Sequence, residues 1–346
     1  MNTKKARMVQ KARWEYPLRI AQWWQEHMRN RIQASRRLFG GPRFYRGDCH
    51  SHSTFSDGIG TVAEMHRMKL AAGLDFLFIT DHWGVAQKTQ CAKFPQLWWG
   101  QEPPTQHHHI GILDSQRALK TRADLPGDIA RARRLGRLVY VAHPAGWYPV
   151  TRYSREQMDA LFQLGDEFCL EIVNGANQMF DNFDVTDEAA IALWDELLGA
   201  GRRVHGLGNT DSHLPHNVGS VWTGVFCSKL AKDAVITALG KGRCFVSEAP
   251  LLHLEVRSGS RRAGMGQTLA VSGGKVTVRY RAADSFGLQL LRVVQDGKPV
   301  REIDLARHPV ADGTVPLRVG PRSRFVRIEC YAKDWRRAFS NPVYFR

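Results

Sequence analysis

The sequence predicts an α/β protein in three parts, and three observations support this division. Apolar residues near the N-terminus recur at spacings of three and four, which is typical of an amphipathic helix. From about residue 47, short apolar runs alternate with helical segments, as in a chain of βα units. After Pro250, runs of alternating polarity separated by glycine turns predict a small β-sandwich. We therefore predict parts spanning residues 1–43, 44–250 and 251–346.

The first part is predicted to be a basic amphipathic helix. Leu18, Trp24 and Met28 belong to its apolar stripe, and Pro17 suits the first turn of a helix that begins there. Residues 1–46 contain twelve Lys or Arg and two Asp or Glu, a net charge of +10. Such a helix either docks on its own protein or contacts an anionic membrane surface or nucleic acid. The sequence favours docking and leaves the other two partners open.

In the central part, residues of the kind that bind metals follow most of the predicted strands. The first strand leads into His50 and His52, which share a face because alternate residues of a strand point the same way. The others are Asp57, Thr80-Asp81-His82, Ala142-His143-Pro144, Glu171 and Asp211-Ser212-His213. Because the carboxyl ends of parallel strands gather at one face, we expect these residues to meet. Imidazole nitrogen with carboxylate oxygen suits zinc, manganese or iron, so the sequence predicts a metal site.

As a set, these motifs resemble those of the polymerase-and-histidinol-phosphatase (PHP) superfamily. The run from Glu171 to Gly175 and the strand-rich tail look most like its carbaryl-esterase-like (CehA/McbA) metallohydrolase branch. The resemblance spans roughly Arg46 to Pro250. It implies a distorted seven-stranded (β/α) barrel of PHP type that holds two or three divalent metal ions. Members of the superfamily are mostly phosphoesterases and related hydrolases.

The resemblance also implies a set of ligands. Glu102, in the context Gly100-Gln101-Glu102, would bridge two ions. The first ion would be bound by His50, His52 and Asp211, the second by His109 and His143, and a third by Asp57, His82 and His213. Asp57 stands where some relatives have histidine. Glu102, Asp211 and His143 are predicted to be catalytic as well as metal-binding.

Some of these assignments have alternatives. His107, His108 and His109 compete for one position; His109 leads into an apolar strand and fits the family spacing best, and His107 is the reserve because it would share that face. Asp81 is predicted to orient a ligand rather than to bind an ion. Glu171 is predicted to hydrogen-bond a ligand or the substrate.

The predicted function is metal-dependent hydrolysis of an ester bond, with phosphoesters favoured, by a hydroxide generated on the ions. Arg152 and Arg155 follow the strand that ends at His143 and are candidates for binding a phosphate. One alternative is a carboxyl or carbamate esterase. Another is a nuclease or nucleic-acid-binding protein that uses its basic flanks, and a structural protein with a degenerate site is disfavoured by the intact ligand set.

Length and composition indicate the cellular compartment in which the protein is expected. The chain of 346 residues contains no apolar run long enough to span a membrane and no secretory signal near its start. Its six cysteines are scattered without a Cys-x-x-Cys pair, which is typical of a reducing compartment. We expect a cytoplasmic protein with a small anionic or ester substrate. Peripheral contact with a membrane and assembly into an oligomer are left open.

Overall fold

The protein is mixed α/β, with helices packed around one large sheet and a second, smaller sheet. The computed structural model describes residues 3–82, 84–103, 108–122, 124–146, 153–164, 167–176, 185–271 and 273–346, with side chains of the first helix described from Arg19 onward. Seven helices occur in these ranges: α1 Thr3–Phe39, α2 Val62–Ala72, α3 Lys88–Cys91, α4 Leu125–Ala132, α5 Arg155–Leu161, α6 Val185–Gly199 and α7 Lys232–Gly240.

Nine strands of the large sheet come from the central part of the chain. They are β1 Tyr45–Asp48, β2 Phe76–Ile79, β3 Leu97–Gln101, β4 Ile110–Leu113, β5 Leu138–Val141, β6 Phe168–Asn174, β7 Val204–Asn209, β8 Trp222–Val225 and β9 Cys244–Ser247. Their order is β9-β8-β1-β2-β3-β4-β5-β6-β7. A parallel bridge between Ser51 and Ser212 brings the segment after β1 next to the segment after β7. The two ends of the β1–β7 series therefore meet.

Strand β4 departs from the parallel arrangement that simple βα alternation predicts. It runs antiparallel to both β3 and β5, whereas β1–β2, β2–β3, β5–β6 and β6–β7 are parallel pairs. The amino end of β4 consequently lies beside the carboxyl ends of its neighbours. A residue just before β4 thus reaches the same edge as residues just after β3 and β5.

Helix α2 returns the chain from this edge to the start of β2, and its ends are defined by local chemistry. The Thr61 hydroxyl accepts a hydrogen bond from the backbone of Glu64, and the Glu64 carboxylate accepts one from the Thr61 backbone. These two hydrogen bonds form a capping box, and the Thr-x-x-Glu pattern is its sequence signature. Gly73 ends the helix with φ of 71°, a left-handed conformation that glycine adopts without steric cost.

Ten further strands follow residue 250. They are β10 Leu251–Ser258, β11 Arg261–Gly264, β12 Thr268–Leu269, β13 Gly274–Ala283, β14 Leu288–Gln295, β15 Lys298–Asp304, β16 Val310–Val319, β17 Phe325–Ala332, β18 Arg337–Ser340 and β19 Val343–Phe345. Strands β11-β10-β13-β16 form the smaller sheet, and the others join the large sheet through the pairing of β18 with β9. Leu254 and Val278 of the smaller sheet share a core with Leu291 and Ile328 of the larger one. Because β18 pairs with β9, backbone hydrogen bonds join strands from the two sides of residue 250. The domain boundary at residue 250 stays a prediction.

Helix α1 docks on the rest of the protein through its second half. Gln25 Nε2 donates hydrogen bonds of 3.0 Å to the carbonyls of His216 and Val218, and Arg31 forms ion pairs with Asp284 and Asp334. The helix begins at Thr3, so the predicted start at Pro17 is wrong. A proline inside a helix removes one backbone hydrogen bond and does not by itself end the helix. None of the described helices combines the length and the apolar character that crossing a bilayer requires.

Candidate metal centre

The residues predicted to bind metal lie together at one edge of the large sheet. His50 and His52 follow β1, and Glu102 follows β3 directly. His109 stands immediately before β4 and reaches this edge because β4 is antiparallel to its neighbours. His143 follows β5. Asp57, His82, Asp211 and His213 are the remaining predicted ligands, and they lie in the segments after β1, β2 and β7.

Glu102 stands at the middle of the cluster and offers one oxygen to each of two histidine pairs. Its Oε1 lies 2.9 Å from His109 Nδ1 and 2.9 Å from His143 Nε2. Its Oε2 lies 3.0 Å from His50 Nε2 and 3.2 Å from His52 Nε2. The side chain is almost fully buried. This is the arrangement expected of a carboxylate that bridges two cations.

Asp211 completes the pocket formed by the first histidine pair. Its Oδ1 lies 3.0 Å from His52 Nε2 and 3.2 Å from His50 Nε2. Both Asp211 Oδ1 and His52 Nε2 are buried and have no hydrogen-bond partner among the described residues. Buried polar atoms are rarely left in this state, because burying them without a partner costs free energy. A cation between them would satisfy both, so the donor set fits a metal ion.

A second group of histidines gathers around Asp57. Its Oδ2 lies 3.3 Å from His82 Nε2 and 3.3 Å from His213 Nε2. His82 Nδ1–H donates to the carbonyl of Glu102 and His213 Nδ1–H to that of Asp211, both at 2.9 Å. A carbonyl can only accept, so the proton of each neutral ring is on Nδ1, and the lone pair is on Nε2, toward Asp57. His52 also belongs to this group, which the sequence did not suggest.

The carboxylate of Glu171 supports the cluster by accepting four hydrogen bonds. Its Oε1 accepts hydrogen bonds from His50 Nδ1 at 3.1 Å and from Asn209 Nδ2 at 2.8 Å. Its Oε2 accepts from the backbone N–H of His143 at 2.9 Å and from Asn174 Nδ2 at 3.1 Å. These contacts agree with the predicted hydrogen-bonding role. A carboxylate behind an imidazole fixes the ring and its tautomer, as is usual around metal-binding histidines.

Asp81 and Asp48 support the loops that carry the histidines. Asp81 accepts hydrogen bonds from the backbone and hydroxyl of Ser53 at 2.7 and 2.8 Å, which agrees with an orienting role. Asp48 accepts from the backbone N–H groups of His50 and Thr210 at 3.1 and 3.2 Å. Burial raises the pKa of Asp48 to about 7 despite these hydrogen bonds. Sequence reasoning missed Asp48, although its place two residues before His50 could have indicated it.

Two residues of the centre have an unusual backbone. His143 has φ of 24° and Asp211 has φ of 48°. Residues other than glycine rarely adopt positive φ, and each instance costs about 1–3 kcal/mol. Such strain persists where the surroundings hold a side chain in one place. Here it directs two candidate ligands toward Glu102.

Mutual interaction shifts the protonation equilibria of the cluster. Burial alone would raise the pKa of Glu102 and of Asp211, but the neighbouring imidazoles, His50 foremost, hold both pKa values below their usual range. Burial alone would lower the pKa of His50 and His52. The carboxylates of Asp211 and Glu102 overcome it and raise both pKa values. The pocket therefore concentrates carboxylate charge that attracts cations, whether protons or metal ions.

The structure separates two of the three consecutive histidines. His109 faces Glu102, whereas His108 is buried elsewhere, with Nε2 3.0 Å from Asp128 Oδ2 and Nδ1 3.2 Å from Gln157 Nε2. His107 lies outside the described residues. Of the two arginine candidates, Arg152 also lies outside them. The side chain of Arg155 is 90% exposed and pairs with Asp159.

Four overlapping groups of His, Asp and Glu result from this arrangement. Within each group the ligand atoms lie within 4.8 Å of one another. The groups are His50-His52-Glu102-Asp211, Glu102-His109-His143, His52-Asp57-His82-His213 and His50-His143-Glu171. All nine predicted ligands occur in them. Metal binding by these residues stays a prediction.

Comparison with known proteins adds little to this geometry. No protein-family model matches the sequence, and no curated protein matches it. A solved two-domain protein from Bacteroides vulgatus, described as containing a predicted PHP-like metal-dependent phosphoesterase, is 18% identical over 88% of this chain and 96% of its own, with a TM-score of 0.48. PsfC from Pseudomonas syringae is 16% identical over 57% and 87%, with a TM-score of 0.41. A putative metal-dependent phosphoesterase from Bifidobacterium adolescentis is 15% identical over 48% and 87%, with a TM-score of 0.36. Sequence identities and TM-scores this low support no conclusion about function.

Proposed function

We propose that this chain is a metal-dependent hydrolase of the PHP type, and that its substrates are phosphoesters. The observation that carries the proposal is the position of Glu102, whose two oxygens face two separate histidine pairs at 2.9–3.2 Å. The meeting of β1 and β7 through Ser51 and Ser212 supports a distorted seven-stranded barrel. The shared core of the two C-terminal sheets supports a β-sandwich after residue 250.

Two or three divalent ions fit the donor set. His50, His52, Glu102 and Asp211 would hold the first, and Glu102, His109 and His143 the second. Asp57, His82 and His213 would hold the third. Mixed nitrogen and oxygen donors suit zinc, manganese or iron. When bound, such ions supply Lewis acidity and lower the pKa of a coordinated water to about 7.

The side chains of the centre divide into a closed floor and an open rim. His50, His52, Glu102 and Asp211 are buried and exclude bulk water from the floor. Asp57 is the most exposed member, with 45% of its side chain accessible, and the His213 side chain is 26% accessible. A substrate would therefore enter from the side of Asp57 and His213. Electrostatic interactions with the reacting group are strengthened in a floor of this kind, because the local dielectric constant is low.

Phosphoesters are the favoured substrates because a phosphoryl group carries charge on several oxygens that adjacent cations can bind together. Two cations a few ångströms apart hold both the attacking and the leaving oxygen of an in-line displacement. A carboxyl or carbamate ester would use the same cations around a single developing oxyanion. Turnover of carboxyl esters with no turnover of phosphoesters would replace the proposed substrate class and leave the metal centre in place.

Metal analysis of the purified protein, followed by a substrate panel, tests this function. We expect two or three equivalents of divalent metal, and hydrolysis of a phosphomonoester or phosphodiester that stops on chelation and returns with added metal. Glu102→Gln is expected to lose both metal and turnover, because an amide binds cations weakly. Glu167→Gln is the matched control, since Glu167 bonds His205 and Lys241 away from the centre. A Glu102→Gln protein with full metal content and full turnover would refute the proposal.

A further inference from the structure

We propose that Gln25 of helix α1 is a positioning residue for the metal centre, because it holds the chain segment that follows His213. This inference rests on the proposed function and extends it to the N-terminal helix. The side chain of Gln25 is buried, whereas Gln22 and Glu26 of the same helix are exposed. Residues 214–218, here called the rim segment, come directly after His213 and form the contact with this buried side chain.

The side-chain amide of Gln25 donates to the backbone of the rim segment. Its Nε2 lies 3.0 Å from the carbonyl oxygen of His216, 3.0 Å from that of Val218 and 3.5 Å from that of Pro215. The segment turns through a short 3₁₀ helix over Pro215–Asn217, which brings these carbonyls toward one donor. Buried carbonyls need a hydrogen-bond donor, and the two hydrogens of this amide serve two of them. Gln25 therefore fixes the path of the rim segment.

The rim segment and His213 are tied in turn to the loop that carries Asp57. The backbone N–H of Ile59 donates to the carbonyl of His213 at 2.9 Å. Gly60 lies so close to Pro215 that a Cβ atom on residue 60 would be 2.4 Å from Pro215 Cγ. Asp57 Oδ2 and His213 Nε2 face each other at 3.3 Å. A shift of the rim segment would therefore displace two candidate ligands of the same group.

His213 takes its orientation from its own loop. Its Nδ1–H donates to the carbonyl of Asp211, two residues earlier, at 2.9 Å. His50, in the closed floor, is instead held by a carboxylate from a different strand, with its Nδ1 3.1 Å from Glu171 Oε1. A ligand that is oriented by its own loop is placed only as accurately as that loop, so the loop needs support from its neighbours. Gln25 supplies such support from α1.

The rim segment is held from two sides. On one side, Asn217 Nδ2 donates to the carbonyls of Gly175 and Ala176, at 2.6 and 2.7 Å, in the segment after β6. On the other side is Gln25, whose helix is itself anchored by the ion pairs of Arg31. Without the Gln25 amide, the side that faces α1 would lose both hydrogen bonds of 3.0 Å to that helix. The position of the loop that carries the metal ligands therefore depends on α1.

Zinc titration of the full chain, stripped of metal and measured against a chromophoric chelator, tests the proposal. The rim group, His52-Asp57-His82-His213, is identified by Asp57→Asn, which should remove its ion and leave the others. In Gln25→Met, which keeps the side-chain length but has no side-chain N–H, we expect this ion to bind at least about tenfold more weakly, with the others unchanged. Gln25→Lys, whose ammonium can donate to the same carbonyls, should recover part of the affinity. Gln22→Ala, on the exposed face of the same helix, is the matched control and should bind zinc like the unchanged protein.

Several results would overturn the proposal. Unchanged zinc affinity in Gln25→Met would show that Gln25 only docks α1, and an equal loss of every ion would show a general effect on the fold. Unchanged zinc content in Asp57→Asn would show that the rim group holds no ion. Gln25→Glu, which keeps the shape of the side chain without its N–H groups, replaces Gln25→Met if that variant does not unfold cooperatively in urea.

Failure of this inference can be told from failure of the proposed function. A protein that shows the expected zinc affinities but hydrolyses no ester refutes the proposed function alone. A protein that hydrolyses phosphoesters, and whose zinc binding does not respond to Gln25→Met, refutes this inference alone. A protein that binds no zinc refutes both.

Discussion

His50 and Glu171 are joined by a hydrogen bond of 3.1 Å between Nδ1 of the imidazole and Oε1 of the carboxylate, out of contact with solvent. The same carboxylate accepts three more hydrogen bonds, from Asn209, Asn174 and the backbone of His143. Four donors on two oxygens leave little freedom to the side chain. Glu171 therefore sets the direction of the His50 ring and the place of the His143 backbone together.

Glu171→Gln is expected to weaken metal binding without unfolding the protein. The new amide group would present N–H to partners that are themselves donors, so the His50 ring would lose its fixed orientation. Loss of such a partner typically weakens metal affinity about 10–100-fold, and the unpaired donors would lower the free energy of unfolding by about 1–3 kcal/mol. Competition with a chromophoric chelator measures the first effect and urea unfolding the second. A metal affinity equal to that of Glu167→Gln would contradict this role.

His108 and His109 are expected to respond differently to alanine substitution. His109→Ala removes a group 2.9 Å from Glu102 and should lower the number of metal ions bound. His108→Ala removes a buried partner of Asp128 and should leave metal content unchanged, while lowering the free energy of unfolding by about 1–3 kcal/mol. Metal analysis and urea unfolding of both variants show which of the two histidines binds metal. The assignment fails if His108→Ala loses metal and His109→Ala does not.

Arg31→Met is expected to destabilise the docking of α1 strongly. The guanidinium is 5% exposed and pairs with Asp284, which is fully buried, and with Asp334. Removing one partner of a buried ion pair costs about 3–5 kcal/mol, because the remaining charge is left uncompensated. Urea unfolding should show this loss, and limited proteolysis should release the N-terminal helix sooner. Arg37→Met, on the exposed side of the same helix, is the control and should change neither measurement.

Much of the candidate site could be predicted because its information is local in the sequence. A strand of four apolar residues that ends in His or Asp indicates both the strand and the position of the polar side chain. His82 and His143 are indicated in this way, after β2 and β5, whereas His50 and His52 are indicated by their spacing of two residues. Alternating polarity indicates β13 and β16, each of which has one buried face. The capping box at Thr61 and Glu64 is local as well.

The remaining features depend on contacts between distant segments. The reversal of β4 brings His109 to the edge that carries Glu102, and a four-residue apolar run carries no sign of its direction. The pairing of β18 with β9, which joins the C-terminal strands to the large sheet, leaves no local pattern. The same holds for the docking partners of α1, because Arg31 pairs with Asp284 and Asp334, which lie 253 and 303 residues further along the chain.

An acid-labile interaction is expected at the opposite end of β6 from the metal centre. Glu167 Oε1 lies 2.8 Å from His205 Nε2, and Oε2 lies 2.7 Å from Lys241 Nζ. The hydrogen bond from His205, followed by that from Lys241, lowers the pKa of Glu167 to about 2. An unfolded glutamate has a pKa of about 4.3. The interaction therefore stabilises the fold above that pH and is lost as the pH falls from about 4.3 toward 2.

Glu167→Gln is accordingly expected to cost stability near neutral pH and progressively less in acid. The free energy of unfolding of both proteins, measured in urea at a series of pH values, gives the difference directly and cancels the titration of the metal-binding residues. Glu302→Gln, which alters a surface pair with Arg292, should show a small difference at every pH. A Glu167→Gln difference that stays constant below pH about 4 would show that the carboxylate charge is not what stabilises this end of the sheet.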